Sequence, residues 1–130
     1  MSKRADNKDL ELAGPALRGF MQIAKAWRLT EDEKSAILGV PAGHASALLE
    51  SGLVEACWPE TMERISYVFG IYGALHTIFP DRLQADSWIR RPSGSSAFNG
   101  DTALALMRAG QLSDLATVRQ HLYAVGLDEP

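Results

Sequence analysis

Three histidines, one cysteine and sixteen carboxylates are the groups in this 130-residue chain that could carry acid–base, nucleophilic or metal chemistry. His44, His76 and His121 are far apart, and none has a Cys, His or carboxylate at metal-ligand spacing. Cys57 stands before Trp58-Pro59 without the basic neighbour or helix start that turns a thiol into a nucleophile. Thr30-Glu31-Asp32-Glu33 gathers three acids, but in the pattern of a capping box, in which Thr30 and Glu33 satisfy each other's backbone N–H. Ser93 to Gly100 holds two glycines and three serines, yet no Lys follows and no strand precedes, as a phosphate cradle requires. No catalytic group, metal or cofactor is therefore expected, and no small-molecule substrate. What remains is Trp88, Arg90, Arg91, Arg108 and Arg119. Trp and Arg dominate binding hot spots; arginines also simply close helices near the negative end of the dipole. Both readings stand on the residues alone.

Composition sets the frame for these side chains. Apolar residues make up 46% and charged residues 22%, enough apolar content for a core, and the net charge of -3 argues against coating nucleic acid by bulk charge. The charge is uneven: residues 1–28 carry +3 and residues 29–130 carry -6. Lys3 and Arg4, in the basic end, could touch phosphate, or could belong to a solvated tail. A single cysteine excludes an internal disulfide and fits a reducing compartment. No apolar run approaches the ~20 residues of a membrane span. The expectation is a soluble, cytoplasmic protein.

The positioning elements all read as helices. Residues 1–12 are expected to form a polar, flexible tail, with a helix opening at Gly14-Pro15 and showing its core stripe at Leu17, Phe20, Met21, Ala24 and Trp27. A second helix starts at the Thr30 cap and stops at Gly39. Pro41 to Gly52 then reads as a further short helix, and the pair forms a helix-turn-helix pattern. The exposed positions of its second helix include His44 and Ser46, with Glu50 set to repel phosphate. Arg, Lys, Asn and Gln, which make bidentate base contacts, are absent there. The motif is either a weak, shape-dependent DNA reader or a scaffold.

Pro59 to Phe79 is the longest helical stretch, with Met62, Ile65, Phe69, Tyr72, Leu75 and Phe79 on one stripe and Val68, Ile71 and Ile78 widening it. It is a core helix, or one that also meets a second subunit. Gly70 and Gly73 would let another backbone approach. Asp81 begins a short helix reaching Trp88, and Pro92 turns the backbone of Arg91 away from helix. Asp101 or Asn99 caps the next helix, which Gly110 closes. The final helix, about 112–125, carries Leu112, Leu115, Val118, Leu122 and Val125 and stops at Gly126. The class is all-α, a helical bundle with an N-terminal helix-turn-helix half and a C-terminal helical half.

These features together resemble a known family. A helix-turn-helix half precedes Trp88-Ile89, a Pro/Ser/Gly loop, Asn99-Gly100, a short Leu-containing helix ending in Gly110, and Val118, Leu122 and Gly126. The arrangement, over about residues 20–126, is similar to that of the Xre/MbcA/ParS-type antitoxins. Where that family commonly carries Pro after the loop glycine, this chain has Asp101-Thr102. The resemblance implies an Xre-like region at 13–80 and a toxin-binding region at 81–130. It implies a non-enzymatic antitoxin of a type II system that covers the active site of a RES-domain toxin and keeps NAD out. On this sequence the matching region is Trp88 to the tail, with Trp88, Arg90, Arg91, Arg108, Arg119, Leu122, Gly126 and Leu127 as the candidate toxin contacts. The alternative is a helix-turn-helix DNA-binding regulator of its own operon, with Lys3, Arg4, His44 and Ser46 on operator DNA. Both functions suit a homodimer, which would present two reading helices to two half-sites.

Overall fold

The computed structural model describes residues 7–40, 43, 45, 60–91 and 101–128. Among them the chain is all-α, with no strand element: α1 (Asn7–Ala26), α2 (Glu31–Leu38), α3 (Glu60–Ile78), α4 (Arg82–Ser87), a 3-10 turn (Trp88–Arg90), α5 (Ala103–Met107) and α6 (Leu112–Asp128). The chain divides into two compact units, Met1–Ser66 and Tyr67–Pro130, and the division falls inside α3.

In the first unit, α1 begins at Asn7, not at Gly14-Pro15, and Pro15 lies inside it. The run Leu10-Glu11-Leu12-Ala13 consists of good helix formers, so the helix nucleates before Pro15 and forgoes only the bond to the carbonyl four residues back. At 20 residues α1 is also longer than α3, which has 19. Its buried face is Leu17, Phe20, Ile23, Ala24 and Trp27, whereas Met21 is 43% exposed. Burial of side chains of the size of Phe20 and Trp27 contributes roughly 1.5–3 kcal/mol each. The helix ends with Arg28 in the left-handed region at φ 55°, the Leu29 N–H reaching back to the Ala24 carbonyl at 2.9 Å.

The capping box of α2 is formed on both sides: the Glu33 N–H donates to Thr30 Oγ1 at 3.1 Å, and the Thr30 N–H donates to Glu33 Oε1 at 2.8 Å. Gly39 ends the helix at φ 75°, and the Val40 N–H donates to the Ser35 carbonyl at 3.0 Å. Past the turn, the N–H of Ala45, a helical residue, donates to the buried Ser35 Oγ at 3.2 Å. Arg64, on the first part of α3, is 5% exposed and donates to the Ile37 carbonyl at 3.2 Å while its Nε meets Glu60 at 3.4 Å. Its side chain fills the space beside Gly39, where a Cβ would lie 2.6 Å from Arg64 Nε. An arginine thus neutralises the carbonyl end of α2.

Along α3 the buried residues are Thr61, Arg64, Ile65, Val68, Ile71 and Leu75. The core stripe is therefore rotated from the expected one: Phe69 is 38% exposed, and Met62, Tyr72 and Phe79 are half-buried. The expected pattern counted aromatic size as burial; the observed stripe follows the β-branched and Leu positions at three- and four-residue spacing.

Candidate partner-binding surface

The second unit is built by short local instructions. Asp81 Oδ1 accepts from the Leu83 N–H at 2.9 Å and starts α4. The Arg91 N–H donates to the Trp88 carbonyl at 3.1 Å and closes the 3-10 turn. Arg91 itself is extended at φ -91° and ψ 133°, the conformation that the following proline imposes. The turn buries Ile89 completely, half-buries Trp88 and leaves Arg90 and Arg91 exposed. The Trp88 ring stacks on His121 of α6, with centroids 6.2 Å apart and planes 22° apart. Arg91 is steadied by a 3.1 Å bond to Ser87 Oγ. The Trp thus stacks within its own unit, and the two arginines are exposed.

Thr102, not Asp101 or Asn99, caps α5: its Oγ1 accepts from the Ala105 N–H at 3.0 Å, while Asp101 accepts from the Thr102 N–H at 2.8 Å. Asn99 lies outside the described residues. Helix α5 contacts both the 3-10 turn and α6. Arg108 is the exposed C-terminal cap of α5, and Gly110 turns the chain at φ 94° toward α6. On α6, Leu115, Val118 and Leu122 form the buried stripe. Leu122, at 1% exposure, is a core residue rather than a contact residue, because it sits one turn from Val118 on the same face. Helix α6 does not stop at Gly126; its backbone continues through Gly126 and Leu127 to Asp128. A lone glycine costs a helix about 1 kcal/mol, which a neighbouring turn can offset.

Arg119 is held against aromatic rings. Its guanidinium carbon lies 4.2 Å from the centroid of the Tyr67 ring and 5.6 Å from that of Tyr123. Its stem crosses Gly70, where a Cβ would come 2.8 Å from Arg119 Cδ and 3.0 Å from the Tyr123 hydroxyl. Gly70 thus makes room for side chains and not for a second backbone, and Gly73 faces open space. Nearby on the same unit, His76 Nε2 bonds to Asp86 Oδ1 at 2.8 Å and ties α3 to α4, with Tyr72 against the imidazole at 4.3 Å. Sequence reasoning named Arg119 and left out Tyr67 and Tyr123. The signal for Tyr123 was present, since it follows Arg119 by four residues on one helix face; Tyr67 had none.

Of the DNA-binding candidates, Lys3, Arg4, His44 and Ser46 all lie outside the described residues, as do the loop 92–100 and most of the expected second helix of the motif. Among the described residues no group of His, Cys, Asp and Glu could hold a metal ion, and no helix is long and apolar enough to cross a membrane.

No known protein-family profile matches the chain. It is 36% identical over 108 residues to a protein of Sinorhizobium fredii described as "Uncharacterized protein y4oB", a match covering 83% of this chain and 81% of that protein.

Proposed function

The chain belongs to the family of the Sinorhizobium fredii protein y4oB, and we propose that it is the antitoxin of a type II toxin–antitoxin pair. Its partner in this reading is a RES-type toxin that degrades NAD. The antitoxin performs no chemistry; its C-terminal unit covers the toxin's active-site cleft. The observation that carries this reading is the 3-10 turn, where Ile89 is fully buried and Trp88 rests on His121 while Arg90 and Arg91 are exposed. A turn anchored on its apolar side presents guanidinium groups with little loss of freedom on binding, which suits a protein partner. Co-expression with the product of the neighbouring reading frame, a RES-type toxin in this reading, tests it. Cells carrying both should keep their NAD, and the two proteins should co-purify. Equal NAD loss with and without this chain rejects it.

A second reading, DNA-binding autoregulation, draws on the capped α2, the left-handed Gly39 and the bond from the N–H of Ala45, a helical residue, to Ser35 Oγ. A salt-sensitive shift of the upstream operator DNA supports it. Absence of any shift at low salt, for the free chain and for its complex with the toxin, removes it. Light scattering on the eluting protein tests the homodimer that two half-sites require.

A further inference from the structure

The Arg119 guanidinium is laid on two aromatic rings of the second unit. The residue is half-buried, Tyr67 is half-buried, and Tyr123 is 48% exposed. A guanidinium carries five N–H donors, and rings accept none of them as a carboxylate does. Among the described residues no carboxylate or carbonyl takes a hydrogen bond or an ion pair from Arg119. Gly70 removes the Cβ that would displace the stem, so the position of the cation is set by close approach of α3 and α6. The result is a cation laid on two rings whose donors, among the described residues, reach no carboxylate or carbonyl.

The surroundings say what kind of anion fits. From Tyr67 to Pro130 the chain has five arginines and no lysine, against six acids. A surface that tracks a phosphate backbone is rich in both basic residues and carries net positive charge; this unit is slightly negative. Arginine and tyrosine together, with lysine missing, are the composition of a protein–protein contact. A planar guanidinium flanked by rings matches a planar carboxylate bidentately.

We propose that Arg119, held between Tyr67 and Tyr123 over Gly70, is the docking point for an aspartate or glutamate side chain of the partner protein. The inference rests on the antitoxin reading, with the RES-type toxin as that partner, and it assigns the toxin's side of the contact an acidic residue. The carboxylate enters beside exposed Tyr123, whose ring then covers the pair from water and strengthens it.

The test is titration of the purified product of the neighbouring reading frame, the RES-type toxin of the antitoxin reading, into the full-length chain, for the wild type and for Arg119→Gln, Arg119→Lys and Arg82→Gln. Arg82 is an exposed arginine of the same unit outside the aromatic pair. Arg119→Gln should raise Kd by about tenfold or more, the size expected for one partner of a desolvated charge pair, and Arg82→Gln should leave it unchanged. Arg119→Lys keeps the charge and much of the packing on Gly70 but loses the planar fork, and should also weaken binding by about tenfold. It decides the matter should Arg119→Gln fail to fold. Toxin binding by a folded Arg119 variant at wild-type strength overturns this inference and leaves the antitoxin reading standing. A wild-type chain that does not bind the toxin overturns both. Loss of an operator DNA shift in Arg119→Gln with toxin binding intact also overturns the proposal, by assigning the cation to phosphate.

Discussion

Arg64 and Arg119 each crowd a glycine, and they have been put to opposite uses. Arg64 fills the space beside Gly39, and Arg119 fills the space beside Gly70; in both places a Cβ would come within 3 Å of the arginine side chain. Arg64 is 5% exposed, bonded to the Ile37 carbonyl and paired with Glu60, so its donors serve the fold. Arg119 is half-buried, touches rings and, among the described residues, donates to no carboxylate or carbonyl. The same local device, a glycine that admits a long cation, produces a structural clasp where a carbonyl end waits for it and a recognition point where only aromatic faces do. Burial separates the two, and the hydrogen bonds each one makes separate them further.

Substitutions can break that contrast in graded steps. Arg64→Leu should have the largest effect, a loss of about 2–3 kcal/mol in urea unfolding, because a buried carbonyl of α2 loses a charged donor. Gly39→Ala comes next at about 2 kcal/mol: the left-handed backbone resists a side chain, and Arg64, held by its bonds, has little room to give way. Arg119→Gln should cost only about 0.5–1 kcal/mol of stability, the value of an exposed cation–π contact, while its effect on partner binding is far greater. Gly70→Ala is expected to be close to neutral in thermal unfolding, within about 0.5 kcal/mol. The gain in helix propensity offsets most of the cost of moving the Arg119 stem and the Tyr123 hydroxyl aside. Its toxin affinity should nevertheless fall, because the cation is moved. Glu60→Gln should be the mildest, at or below about 0.5 kcal/mol, since Glu60 is 61% exposed. A Gly70→Ala variant as unstable as Gly39→Ala would erase the distinction between the two sites.

The features that were legible in the sequence are those written within one helical turn. The Thr30–Glu33 box, the stop at Gly39, the start at Asp81 and the Leu115, Val118 and Leu122 stripe all depend on neighbours no more than four positions away, and each is in place. The features that were not legible join distant positions. Arg64 reaches the Ile37 carbonyl across 27 positions, and His76 reaches Asp86 across 10. Nothing in the local pattern marks Tyr67 as the ring beneath Arg119. Some local readings also failed, among them the expected stop at Gly126 and the Asp101 cap. Pro15 looked like a helix start and is an interior residue. Phe69 and Met21 looked like core by size and are partly exposed, because the angle at which a stripe faces its neighbours is set by packing and not by hydrophobicity alone.

The stack of Trp88 on His121 gives the chain an optical label of its own. Trp27, 1% exposed in the first unit, should emit at short wavelength and report little but global unfolding. Trp88 sits half-buried with an imidazole 6.2 Å away, next to the two arginines that lead the proposed contact. Its emission should change when a partner settles on that turn, so that binding can be followed by intrinsic fluorescence without a dye, a tag or a change to the sequence.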